Sequence, residues 1–205
     1  MIRIAVIVGS TRPHRRTEVV ARWALDAAGR HPSVKNGAAA VELVDLADQG
    51  LPLLDEPVSA AFGQYSHEHT RRWARLIDGF DGFLFVTPEY NHSFPAALKN
   101  AIDYLYGEWF HKAAGFVSHG VHGGTRAVEH LRTVLSEVKV ATVGGQVALS
   151  AFTDFELPDP TQPGEITPGD HHEPTLMEVL DDLVAWSGAL RQVRAALPPA
   201  GTTEN

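Results

Sequence analysis

The sequence predicts an α/β fold, a five-stranded parallel sheet of order 2-1-3-4-5 with helices on both faces. Three observations lead there. Short apolar runs, rich in β-branched and aromatic residues, recur with almost no polar break, as strands buried on both faces require. Amphipathic helical stretches alternate with them, five of each, and a parallel sheet with right-handed crossovers is the simplest arrangement of that order. The 205 residues, 44% apolar and 20% charged, suffice for one domain with its own core.

Residues 2–8 (IRIAVIV) read as the first strand, closed by Gly9-Ser10. From Thr17 onward, Val19, Val20, Trp23, Ala24, Ala27 and Ala28 recur at helical spacing, with Glu18 in the first turn and Gly29 near the end. A second strand is expected over 41–46 and a helix over 67–78, with Trp73, Leu76 and Ile77 on one side. The run FLFVT (83–87) is the third strand; it stops at Pro88, which has no N–H for a ladder. Pro95 suits the first position of a helix that presents Leu98, Ala101, Ile102 and Leu105. A fourth strand follows over 114–118, then a helix carrying Val128, Leu131, Leu135 and Val138, then a fifth strand over 141–149. Pro174 introduces the last helix, which runs through Leu190.

Residues 47–66 and 152–174 are long, rich in Pro, Gly and acids, and aperiodic; lids, dimer contacts or mobile loops are expected there. Residues 1–197 are expected to form one domain and 198–205 a disordered tail. With no cysteine in the chain, disulfides, Fe–S clusters, thiolate nucleophiles and Cys-ligated zinc are excluded. Redox chemistry would need a bound cofactor. The net charge of −8 argues against nucleic acid as a partner, and no apolar run approaches the roughly 20 residues of a membrane span. No signal-peptide pattern follows Met1, so a cytoplasmic protein is expected. The histidine pairs 67/69, 119/122 and 171/172 lack the helical i,i+4 spacing of a zinc site and are read as solvated or loop residues.

In an open parallel sheet, ligands bind beyond the carboxyl ends of the strands where the order reverses, so the loops after strands one, three and four should converge. The first, GSTRPHRRT (9–17), leads into a helix N-terminus. Free N–H groups and the positive end of the helix dipole there, the hydroxyls of Ser10, Thr11 and Thr17, and Arg12, Arg15 and Arg16 make a phosphate site. Neither G-x-G-x-x-G nor a P-loop occurs, which favours a monophosphate over a dinucleotide. The second, TPEYNHSFP (87–95), offers Tyr90 as a wall for a flat ring, with the amides near Glu89 to Asn91 and the Asn91 side chain as polar contacts; FMN needs such groups. In the third, SHGVHGGT (118–125), Gly120, Gly123 and Gly124 allow close backbone approach.

The combination GSTRP-x-R at 9–15, Trp23, and TPEYN-x-S-x-P-A-x-LKNAIDYL at 87–105 resembles the NADPH-dependent FMN reductases, flavodoxin-like proteins, over about residues 1–150. The resemblance implies FMN as cofactor, its phosphate on Ser10, Arg12 and Arg15 and its ring on Pro88, Glu89, Tyr90 and Asn91. It sets Ser118, His119 and Gly120 beside the isoalloxazine. His14 stands where that pattern usually has glycine, and Arg16, next to Arg15, leaves open which of the two meets the phosphate. The implied activity is hydride transfer from NADPH or NADH through FMN to a small-molecule acceptor such as a flavin or quinone. No side chain is assigned a proton-transfer role. A flavodoxin-like electron carrier, or a flavin-binding module without turnover, is the alternative. A homodimer or dimer of dimers is expected, from the resemblance and from Tyr104, Tyr106, Trp109 and Phe110, an aromatic group that would suit an interface.

Overall fold

The computed structural model describes residues 1–159 and 161–197; the tail expected over 198–205 lies outside them. In chain order the elements are β1 (Ile2–Val8), α1 (Arg16–Gly29), α2 (Pro32–Lys35), β2 (Ala39–Asp45), α3 (Leu46–Gln49), α4 (Glu68–Asp78), β3 (Gly82–Pro88) and α5 (Ala96–Asp103). There follow β4 (Ala113–Gly120), α6 (Thr125–Glu137), β5 (Ala141–Thr142), β6 (Val147–Ser150), β7 (Phe155–Glu156), β8 (Glu165–Ile166) and α7 (His172–Ala196). The main sheet runs β2-β1-β3-β4-β5, parallel throughout, with β6 also paired to β4.

Period-two alternation divides the strands between two cores. Ile4, Val6, Val8, Leu84 and Val86 face α1 and α7, while Ala5, Ile7, Phe83, Phe85, Ala114 and Phe116 face α4, α5 and α6. Every position of β3 is buried. At about 1.5–3 kcal/mol per large apolar side chain, this strand anchors the fold.

The expected fifth strand over 141–149 is two strands. At Gly144-Gly145 no side chain supports the ladder, and Arg132 donates instead to the carbonyls of Val143 (2.5 Å) and Gly144 (3.1 Å). The two aperiodic stretches are fastened by side chains. In the first, Asn100 accepts from the Leu54 amide (2.9 Å) and donates to the Pro52 carbonyl (2.7 Å), while the Tyr104 hydroxyl donates to Asp55 (2.9 Å). The second forms an antiparallel strap, β7 paired with β8. Buried Asp154 clamps its root, accepting from the amides of Ser150 (2.7 Å) and Gly169 (3.2 Å) and lying 3.0 Å from His172 Nε2. His172, the first residue of α7, is therefore buried on a carboxylate, and His119, in β4, is buried as well; neither is the solvated or loop histidine expected.

The aromatic group after α5 also departs from expectation. Tyr104 and Trp109 are core residues: Trp109 packs edge-on against Trp73 and Phe83 (centroids 6.2 and 4.9 Å), and its indole donates to the Ile102 carbonyl (3.1 Å). These rings are buried against the sheet and α4. Only Tyr106 and Phe110 remain half-buried.

Lys112, just before β4, is buried with its ammonium on the last carbonyls of α4, Ile77 (2.8 Å) and Asp78 (3.1 Å). It thus caps the helix C-terminus. Burial pushes its pKa down from 10.5 to about 8. Between those values the unfolded chain holds a proton that the folded chain has lost, so stability rises with pH. Above pH 10 the trend opposes this, because burial raises Tyr65 and pushes Tyr104 up to about 12. Denaturant titrations from pH 8 to 10 should show a gain on the order of 2 kcal/mol that Lys112→Met abolishes; equal slopes in the two proteins would refute the assignment.

Candidate functional site

Gly9 carries the β1–β3 ladder one residue past the end of β1, its amide donating to the Val86 carbonyl at 2.8 Å. The chain then turns into α1, whose N-cap is Arg15, in extended conformation and with no side-chain cap. The first amides of α1 are left for an external acceptor. His14 stands at φ 52, a left-handed conformation that glycine adopts freely and another residue at a cost of about 1 kcal/mol.

A cleft of about 200 Å³ opens at the carboxyl ends of β1, β3 and β4, lined by Arg12, Arg16, Thr17, Pro88, Glu89, Tyr90, His119, Gly120, Val121 and Ala151. Eight of those ten positions carry the expected site residues; Val121 and Ala151 are additional, apolar positions with no motif to announce them. The other expected residues lie just behind the lining. Ser10 is buried, its hydroxyl 3.0 Å from that of Tyr90, so the first two loops are tied together. Ser118 donates inward to the Gly123 carbonyl at 2.6 Å. Gly123 and Gly124 form the turn into α6 and pack against Ala148 and against Ser118 and His119. Asn91 sits with His92 at positive φ, 50° and 70°, between the reciprocal Tyr90–Ser93 hydrogen bonds. This is the geometry of a type I′ turn. The Glu89 and Tyr90 amides already donate, to His119 (3.0 Å) and Ser93 (2.8 Å). Among the described residues, the amides of Asn91 and His92 are the donors left at this turn.

The three arginines separate. Arg15 turns away and pairs with Asp45 and Glu18. Arg12 and Arg16 line the cleft, and among the described residues neither pairs with a carboxylate. Burial, and then the charge of Arg12, hold the Arg16 pKa below its ordinary value. Two guanidiniums at an uncapped helix N-terminus, beside the Thr17 hydroxyl, form a donor set that fits a phosphate ester. Glu89 caps α6 through the Arg126 amide (3.2 Å) and pairs with the Arg126 guanidinium, which keeps its carboxylate off the cleft floor. Tyr90, 37% exposed, leaves a ring face open for stacking. The phosphate-binding set and the flat wall suit FMN.

His119 is a buried titratable group of the cleft lining, its Nε2 2.9 Å from Thr17 Oγ1. Burial, and then Arg16 and Arg12, push its pKa down from 6.5 to about 3. The folded chain therefore refuses a proton that the unfolded chain accepts below pH 6.5, and stability falls as pH drops from there toward 3. His119→Gln keeps a polar partner for Thr17 and should flatten the acid limb of the stability profile. An unchanged limb would mean that His119 titrates normally.

A family model described as NADPH-dependent FMN reductase matches residues 2–154. An NAD(P)H-dependent FMN reductase of Schizosaccharomyces pombe is 39% identical over 154 residues, covering 74% of this chain and 74% of the relative. A quinone reductase of Pseudomonas putida is 36% identical over 175 residues, 78% of this chain and 87% of the relative. An NADPH azoreductase of a Bacillus species is 29% identical over 199 residues, 96% and 98% of the two chains. Among solved structures, a flavoenzyme NAD(P)H:(acceptor) oxidoreductase from Paracoccus denitrificans superposes with TM-score 0.69 at 23% identity, over 92% of this chain and 98% of that one. That likeness bears on the fold.

Proposed function

The chain belongs to the NADPH-dependent FMN reductase family, and from that premise we propose how its cleft works. The protein is an NAD(P)H-dependent, FMN-containing oxidoreductase that serves a flavin, quinone or similar small acceptor. Bound FMN supplies the hydride relay between nicotinamide and acceptor. The chain's own residues bind, orient and shield. Arg12, Arg16, Thr17 and the first amides of α1 take the phosphate; Tyr90, braced through its hydroxyl by Ser10, backs the ring. The Asn91 and His92 amides are poised to donate to its polar edge. His119 stays neutral at working pH and holds the Thr17 hydroxyl in place.

The observation that carries this reading is the pair of cleft guanidiniums that, among the described residues, pair with no carboxylate, in one cleft with the Tyr90 ring. Mixing the protein with FMN and NADPH should give oxidation at the nicotinamide band. Bound FMN without oxidation would favour the electron-carrier alternative. Arg12→Ala should weaken FMN by about 1.5–3 kcal/mol, the range of one charge-assisted contact. An unchanged dissociation constant would move the phosphate elsewhere.

We further propose that residues 1–197 act as one domain, that the protein works in the cytoplasm, and that it is a homodimer or a dimer of dimers. No helix among the described residues is long and apolar enough to cross a membrane. With Trp109 in the core, support for the dimer comes from the loop fastened to α5, which exposes Leu53 (83%), Leu54 (48%) and Phe62 (71%). Such a cluster suits an interface better than water. Leu53→Asp combined with Phe62→Asp should give a single 22.3 kDa chain in light scattering, with an unchanged melting temperature. A wild-type protein already of that mass and fully active would overturn the dimer.

A further inference from the structure

Arg15 and Arg16 are adjacent, yet the fold sends them in opposite directions, and the strap decides the direction of Arg16. Its Nε donates to the Pro163 carbonyl at 3.0 Å, and its guanidinium carbon lies 5.4 Å from the centre of the Phe155 ring. Both partners belong to the strap. Phe155 is buried, with its ring 6.0 Å from that of His119, and Leu157 and Ile166 pack on the core face shared by α1 and α7.

The strap is built to hold this position. Asp154 clamps its root to Ser150, Gly169 and His172. At its tip Gly164 lies at φ +74, where a Cβ would meet the Glu156 carbonyl oxygen at 2.5 Å. Only glycine lets the chain fold back there and bring the Pro163 carbonyl onto Arg16. The family match ends at residue 154, so Phe155 and Pro163, which hold Arg16, lie beyond the matched segment, while Arg16 lies within it.

Resting on the FMN reading above, we propose that the strap, through Phe155 in β7 and Pro163 just before β8, is a positioning device for the flavin phosphate. It holds Arg16 as the second cation beside Arg12, the place that Arg15, paired with Asp45, does not take. A free arginine side chain loses much rotamer freedom when it engages a phosphate. One already held by a ring and a carbonyl has lost that freedom on folding, and its Nη groups, which have no protein acceptor among the described residues, remain for the ligand. Phe155 and Pro163 thereby govern cofactor affinity without touching the cofactor.

The test is fluorescence titration of the apoprotein with FMN and, separately, with riboflavin, which lacks the phosphate. Arg16→Ala should weaken FMN about tenfold or more and leave riboflavin unchanged. Phe155→Leu should weaken FMN about threefold to tenfold, again sparing riboflavin, and Phe155→Trp, which restores an aromatic face, should recover the loss. Combining Arg16→Ala with Phe155→Leu should cost no more than Arg16→Ala alone. Because Phe155 is buried, its variants are read beside Arg16→Ala, which removes the guanidinium and leaves the Phe155 ring itself in place. Equal losses for FMN and riboflavin, additive losses in the double variant, or a larger loss in Arg15→Ala than in Arg16→Ala would each overturn the proposal. Wild-type protein that binds no FMN would instead overturn the FMN reading itself.

Discussion

The hydrogen bond from the Gly9 amide to the Val86 carbonyl ties the first loop to the central strand, and the cleft follows from it. A Cβ at residue 9 would stand 2.8 Å from that same oxygen and 3.0 Å from the Leu98 side chain. The chain can therefore leave β1 flat against β3 only because residue 9 has no side chain. That exit angle brings Ser10 to the Tyr90 hydroxyl and sets Thr17 against His119 across the sheet top. Three loops far apart in sequence become one surface because one backbone bond is made where the regular ladder has ended.

Electrostatics then gives the surface its selectivity. The whole chain carries −8, which disfavours anions at long range, yet Arg12 and Arg16 face the cleft and, among the described residues, pair with no carboxylate. Local field within a low-dielectric cleft outweighs a distant, solvent-screened net charge. Two neighbouring acids are kept out of the way by pairing: Asp45 with Arg15, Glu89 with Arg126. The imidazole of His119, kept neutral by burial, adds no charge to the cleft, so its positive charge comes from the two guanidiniums and the helix N-terminus.

Much of this was legible in the sequence because buried parallel strands write themselves as uninterrupted apolar runs and ligand loops as glycine-punctuated polar ones. FLFVT at 83–87 and TPEYN at 87–91 are the plainest cases. What stayed hidden depended on rotation or on distant partners. Whether Arg15 or Arg16 enters the cleft depends on α1 starting at Arg16, with Arg15 still extended at ψ 132. A one-residue shift would exchange them. Trp109 follows the last helical repeat, so no periodicity showed which way it faces, and its burial rests on Trp73 and Phe83, tens of residues upstream. The break at Gly144-Gly145 was visible in composition, but the arginine that takes up its carbonyls lies a helix away. The grip of the strap on Arg16 spans 147 positions, and no local pattern encodes a contact of that length.

The pairing of β1 with β3, Ile4 opposite Gly82, also bears on when the protein can first hold its cofactor. Those residues meet only after β2 and four helices, α1 to α4, have been looped out, and such non-local closures are slow steps in folding. A partly folded chain with β1 and β2 alone has the loop over 9–15 but neither Tyr90 nor His119, which complete the cleft. Affinity for flavin is thus confined to the native state, and by mass action every bound flavin withdraws a molecule from the unfolding equilibrium. The native fold is consequently stabilised by an amount set by the free flavin concentration relative to its dissociation constant.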